Sequence, residues 1–252
     1  MDASPAEQEY VFRYTRGALR ARDIAGFVPL ISFPRFDQRY ESSELFPLFK
    51  NRVLDPARKD FVEYLNWLSL DPSKADPIEI LSLTGGERQT DSLEVFPKVN
   101  RLPDGTFSCR FFLHGLRHVT TAAQERAKML EVGERLQVAI EVNNPATRQA
   151  VQLQSRDCHL LGWAPRYLVS DLCKAISEQS AVDAIVTKIN QINAPLARRI
   201  LSCACNSGTT LMRRVSLEEV GLVAPDRLTS LEVGKGKTVD FPLLGNQSSE
   251  RP

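Results

Sequence analysis

ERLQVAIEVNNPATRQAVQLQ (residues 134–154) is patterned as a β-hairpin. Leu136, Val138, Ile140 and Val142 alternate with Gln137, Ala139 and Glu141, the two-residue period of a strand with one apolar face. Asn143-Asn144-Pro145 turns the chain, and Ala150–Gln154 alternates back. A lone hairpin is marginal in water, so its neighbours must cover it. Upstream, CRFFLHGL (109–116) is apolar enough for a buried strand, and a helix is predicted at about Ala122–Leu130, closing near Gly133. Downstream, CHLLGWA (158–164) reads as a strand running into Pro165, which suits the first turn of a helix carrying Leu168, Leu172 and Ile176 on one stripe. A strand over 184–192 and an irregular RRILSCAC stretch (198–205) follow. Short strands interrupted by helices over ~80 residues suggest a small, curved, barrel-like sheet.

The first half mixes periods. YVFRY (10–14) and GFVPLISFP (26–34) are strand-like. Leu45, Leu48 and Phe49 then recur at helical spacing behind Ser42 or Ser43 as a cap. A better helix runs over Arg58–Leu70 with Phe61, Tyr64, Leu65 and Leu68 on one face, and Asp71-Pro72 and Asp76-Pro77 punctuate its end. A short helix around Ile78–Leu83 stops at Gly85-Gly86, and LEVFP (93–97) closes the unit as a strand. The fold class is therefore α+β: a loose terminus at 1–8, a compact α+β unit at 9–98, and a second unit beyond the Asn100–Gly105 turn. Past Asp226 the chain is rich in Gly, Ser and Lys, and 227–252 is predicted to be a flexible tail.

The 252 residues are 42% hydrophobic and 25% charged, an ordinary globular composition that excludes a disordered, coiled-coil or collagenous chain. No apolar run reaches the ~18 residues of a membrane span, and MDASPAEQEYVFRYTRG has no apolar core for a signal peptide. Five cysteines are too few and odd in number for a disulfide scaffold, so a cytoplasmic, reduced protein without membrane contact is expected. The net charge of +1 is unevenly spread: residues 1–100 hold 13 Lys/Arg against 16 Asp/Glu, and residues 101–205 hold 13 against 9. An acidic half joined to a basic half points to two units with different partners.

The chemistry-bearing motifs are incomplete. Gly234-Lys235-Gly236-Lys237-Thr238 resembles the end of a phosphate loop, but Leu231 stands where the motif needs glycine. His114 and His118 are four apart in a segment read as a strand, where that spacing spans ~13 Å and cannot chelate one ion. Cys203-Ala204-Cys205 has no second pair at zinc spacing, and no G-x-S-x-G elbow exists. Hence no catalytic residues, no metal, no cofactor and no small-molecule substrate are expected, and the chain is read as a non-enzyme.

FFLHGLRHV (111–119), ERAKMLEVGERLQVAIEVNNP (125–145), AVQL (150–153) and LLGWAPRYLVSDL (160–172), in that order, resemble the landmarks of the HIRAN domain. That resemblance covers about 107–178, with 179–226 as an extension packing on it. It implies a small β-barrel that grips single-stranded DNA and favours a free 3′ end. Carried onto this sequence, it marks Arg117, His118, Asn144, Arg148, Trp163, Arg166 and Tyr167 as nucleic-acid-binding. The chain departs from the family's N-N-P-Tyr-Asp at Ala146 and Thr147, so the implied end-stacking tyrosine and its acidic neighbour are missing.

A second resemblance covers 9–98. ISFPRFDQRYESSELFPLFKNRVLDPARKDF and DPIEILSLTGGERQTDSLEVFPK are similar to the N-terminal subdomain of HipA-type kinases, without the kinase core. It implies a protein-interaction module, with Leu45, Phe46, Phe49, Asn51 and Leu54 as its surface. Two readings follow: a non-enzymatic DNA-binding accessory protein acting on single-stranded or damaged DNA ends, or an antitoxin-like regulator of a HipA-type kinase in which end binding is lost.

Overall fold

The computed structural model describes residues 10–88, 90–91, 93–99, 102, 106–178, 182–206, 229–233 and 237–241. In chain order the elements are β1 (Tyr10–Tyr14), α1 (Arg16–Ala25), β2 (Tyr40–Ser42), α2 (Pro47–Lys50), α3 (Phe61–Leu68), α4 (Pro77–Thr84), β3 (Phe96–Pro97), β4 (Ser108–Phe112), α5 (Thr121–Lys128), β5 (Arg135–Asn144), β6 (Arg148–Gln154), β7 (Leu160–Trp163), α6 (Arg166–Ser177), β8 (Val182–Ile189), β9 (Ile200–Asn206), β10 (Thr229–Val233) and β11 (Lys237–Phe241). No described helix is long and apolar enough to cross a membrane. Antiparallel sheets with packed helices make an α+β fold.

The chain divides into two units, neither of which is continuous. The first comprises 1–58, 76–98 and 216–252, and the second comprises 59–75 and 99–215. This differs from a boundary near residue 98: α3 groups with the second unit, and the predicted tail supplies two strands to the first.

In the first unit the strand order is β2-β1-β10-β11-β3, antiparallel throughout. Phe12 lies opposite Leu231 in the β1–β10 ladder. The Gly-Lys-Thr run leads into strand β11 rather than a helix, as a sequence with Val239 and Phe241 at alternate positions allows. Aromatic side chains fill the core: Phe12 stacks on Phe33 at 3.7 Å and 17°, and Phe46 meets Phe33 edge-on at 5.0 Å.

GFVPLISFP is not a strand, and Tyr14 supplies the reason. Its hydroxyl donates to the Phe33 carbonyl at 2.7 Å and accepts from the Leu30 amide at 2.6 Å, so both backbone groups are satisfied by a side chain instead of a ladder. Burial of that hydroxyl pushes its pKa up to about 12. The helix α1, whose apolar positions are few, escaped the sequence reading; Gly26 closes it in the left-handed conformation at φ 65°. α4 is capped by Asp76, which accepts from the Ile78 amide at 2.8 Å, with Pro77 in the first turn.

Arg52, unremarked in the sequence, holds the 86–93 loop. Its side chain is 2% exposed and pairs with Asp91 at 2.5 Å. Its Nη1 donates to the Gly86 carbonyl at 2.8 Å and the Leu93 carbonyl at 3.3 Å, and its Nε to the Leu48 carbonyl at 3.2 Å. Arg52→Ala strands these acceptors and opens a cavity, so a loss of about 3 kcal/mol in urea unfolding is expected. A loss under about 0.5 kcal/mol would show that the loop holds itself.

In the second unit the order is β4-β9-β8-β5-β6-β7, all antiparallel. The stretch read as irregular is strand β9, and β8 and β9 are central to the sheet rather than an extension of it. Leu136, Val151, Leu153, Leu161, Leu168, Leu172, Ala184 and Ala204 form the core between the sheet and α6. The two edges of the sheet meet at one bridge, His114–Trp163, with both amide–carbonyl bonds at 2.9 Å. Among the described residues no strand ladder closes the expected barrel.

Three side chains from the sheet side take the last carbonyls of α3. Arg110 donates to Leu68 at 3.0 Å, Asn190 to Trp67 at 2.9 Å, and Lys188 to Asn66. Two cations at a helix C-terminus also complement its dipole. With Leu65 and Leu68 fully buried, these bonds explain why a helix from the first half of the sequence belongs to the second unit.

Candidate functional site

Gly115 adopts φ 79° and starts a 3-10 turn, Leu116–His118, which places Arg117 and His118 in solvent. The segment read as one strand therefore ends before His118. Arg117 Nε donates to His118 Nε2 at 2.9 Å, so the two side chains act as one exposed unit. Among the described residues no group of three or more His, Cys, Asp or Glu side chains could hold a metal ion.

Trp163 ends β7 and is half-buried. A Cβ on Gly115 would come within 2.5 Å of its ring, so the indole lies tight against the Gly115 backbone. Its Nε1 donates to Glu141 Oε2 at 2.7 Å. The same oxygen accepts from Asn144 Nδ2 at 3.1 Å. Glu141 is the residue the sequence reading missed. An alternating polar position on a strand looks like solvated surface until its cross-strand neighbours are known.

Bonds from Trp163 first, then from Asn144, hold the Glu141 carboxyl below its ordinary value of 4.5; desolvation opposes them weakly, and Gln152 adds a further bond. A carboxylate so depressed contributes stability that is present above pH 4.5 and is lost as pH falls through its folded-state value. With Trp67→Phe as background, Trp163 fluorescence is expected to stay constant from pH 7 to 5 and to shift below pH 4.5. Glu141→Gln should abolish that acid shift; a shift that persists would have another source.

Asn144 is committed to its own turn. Its Oδ1 accepts from the Ala146 amide at 3.0 Å, the Thr147 amide at 3.1 Å and the Thr147 hydroxyl at 3.0 Å. Thr147, standing where the resembled family has an acid, thus closes the hairpin. Arg148 lies opposite Asn144 with φ 63° and is exposed, as is Arg166 in the first turn of α6. Tyr167 packs partly buried against the second core.

The structure thus gathers Trp163 and Asn144 around Glu141, sets the Arg117–His118 turn directly after Gly115, and leaves Arg148 on the hairpin that carries Asn144. In the first unit, Leu45 and Phe49 are core side chains, 5% and 0% exposed: Phe49 is the buried residue of α2, and Leu45, just before that helix, joins the same cluster. Phe46 packs against the same core and Leu54 is half-buried. Of that expected interaction surface only Asn51 is exposed, and its carbonyl accepts from Arg88.

No family model matches this chain. No curated protein matches it either. Among solved structures, it is similar to a protein from Lactobacillus plantarum at a TM-score of 0.33 and 16% identity, over 46% of this chain and 97% of that one. It is also similar to the HIRAN domain of human HLTF at a TM-score of 0.30 and 15% identity, over 42% of this chain and 79% of that one. These likenesses are too slight to establish a fold or an activity.

Proposed function

We propose that the second unit binds nucleic acid through Trp163 and the cations beside it, and that the protein acts as a DNA-binding accessory factor. The observation that carries this reading is the Trp163 indole fixed by Glu141 and Gly115, with the exposed Arg117–His118 pair on the turn that follows Gly115. An oriented aromatic ring stacks on a base at ~1–3 kcal/mol, and an arginine forks to a phosphate. Arg148 and Arg166 add exposed positive charge on the hairpin and on the first turn of α6. The ordered HIRAN-like landmarks over 111–172 agree with this reading. Its preferred ligand is a single strand, because bases must be unpaired to stack on a side chain. With Ala146 and Thr147 in the turn, capture of a 3′ end has no stacking tyrosine to rest on.

Fluorescence anisotropy with labelled single-stranded oligonucleotides tests it, comparing free and blocked 3′ ends. Binding should weaken steeply with salt, through counterion release. Arg117→Ala should weaken it by about 1–3 kcal/mol, the worth of a hydrogen bond to a charged group. No binding at low salt, or an Arg117→Glu variant that binds as well as the parent, would overturn the assignment.

A further inference from the structure

We infer that the second unit takes up a proton when it binds nucleic acid, and that His118 is the residue that takes it up. This rests on the nucleic-acid reading of the same site, in which Arg117 meets a phosphate. The hydrogen bond between the two side chains fixes which atom gives and which receives. A guanidinium has five N–H donors and no acceptor, so Arg117 Nε donates and His118 Nε2 accepts at 2.9 Å. Nε2 therefore carries a lone pair, and His118 in this arrangement is neutral.

A phosphate brought to this exposed pair meets the remaining Arg117 donors on one side and the Nε2 lone pair, which repels its oxygens, on the other. A proton on Nε2 reverses that. The ring nitrogen becomes a donor and can no longer accept from Arg117. A phosphate oxygen between the two cations then takes a charge-assisted hydrogen bond from each, in place of the bond they made to one another.

The elements around the turn supply no carboxylate for that role. β7 brings Trp163, whose Nε1 already holds Glu141, and the bridge to Trp163 carries His114. A second 3-10 turn, Leu196–Arg198, lies against the first and brings Arg198, whose guanidinium is 5.1 Å over the Phe112 ring. α5 has no acid in its first turn; its Gln124 donates to the Val119 carbonyl at 3.2 Å, and its Glu125 is paired with Lys128 at 2.7 Å. The bound phosphate is the anion an imidazolium here would meet. A group that holds its proton more tightly in the complex than in the free protein strengthens binding at acid pH, and the gain is lost as pH rises through the value in the complex.

The test uses the full chain with a labelled single-stranded oligothymidylate, followed by anisotropy at about pH 8 and about pH 5.5, on either side of the range in which histidine changes charge. Both lie above the range in which Glu141 titrates. Affinity should rise about five- to tenfold at the lower pH, the scale of one charge-assisted hydrogen bond. The log–log slope of affinity against salt should steepen by about 0.7, one more neutralised phosphate on a single strand. His118→Gln keeps an acceptor for Arg117 but cannot titrate, so it should bind equally at both pH values. His118→Lys should be equally flat, with the steeper salt slope at both. A parent affinity that does not change with pH, or a rise that survives in His118→Gln, overturns this inference while the nucleic-acid reading stands. No binding at either pH overturns both.

Discussion

Ending the chain at Asn206 is expected to unfold the first unit. β10 and β11 sit in the middle of its sheet, between β1 and β3. All five residues of β1 pair with β10, whereas only three pair with β2. Without the C-terminal strands β1 keeps a three-residue edge and β3 loses β11, its one strand partner among the described residues, and two paired strands are marginal by themselves. Phe12 and Phe33 would lose the sheet that orders them. Hydrogen exchange is the suitable measurement. The β1 amides should lose protection in the truncated chain, while those of β5 and β6, whose partners lie within 135–189, keep it. The same topology predicts that a 1–98 fragment does not fold. Protected β1 amides in either truncation would show that the sheet does not need its central strands.

Gly162→Ala is expected to be the most damaging single substitution in the second unit. Gly162 has φ 151°, and a Cβ there would lie 2.3 Å from the His114 carbonyl oxygen and 3.0 Å from Leu113. The obstacle is backbone, held by the bridge that joins the two edges of the sheet, so it cannot swing aside as a side chain would. Backbone strain of about 1–3 kcal/mol combines with an overpacking cost of similar size, giving about 2–6 kcal/mol. Thermal unfolding should show a drop of roughly 6–30 degrees, scaling such a loss by about 3–5 degrees per kcal/mol. Gly115→Ala is the informative companion. Its clash is with the Trp163 ring, so it should cost less stability yet displace the indole and shift its fluorescence. If Gly162→Ala unfolds like the parent, the His114–Trp163 bridge is not what joins the edges.

The hairpin 134–154 was legible because its apolar positions repeat every two residues around an Asn-Asn-Pro turn, and it is found as β5 and β6. The helices α3 and α6 were legible from their apolar stripes, and α4 and α5 from the glycines that follow them. β9 was hidden because ILSCAC is buried on both faces and so carries no period. The 26–34 stretch has strand composition, but the Tyr14 hydroxyl claims its backbone groups from outside the local sequence. At the candidate site, residue types pointed to Arg117 and Trp163, while Glu141 emerged only when register brought the Trp163 and Asn144 donors to one carboxylate. Local periodicity and turn chemistry determine which segments become strands and helices, since they act over a few residues. Which strands stand side by side, which helix serves which unit and which polar side chains meet depend on pairings between residues up to about 220 positions apart, such as Tyr10 with Val233. Those pairings leave no mark on the local pattern, and only the tertiary structure decides them.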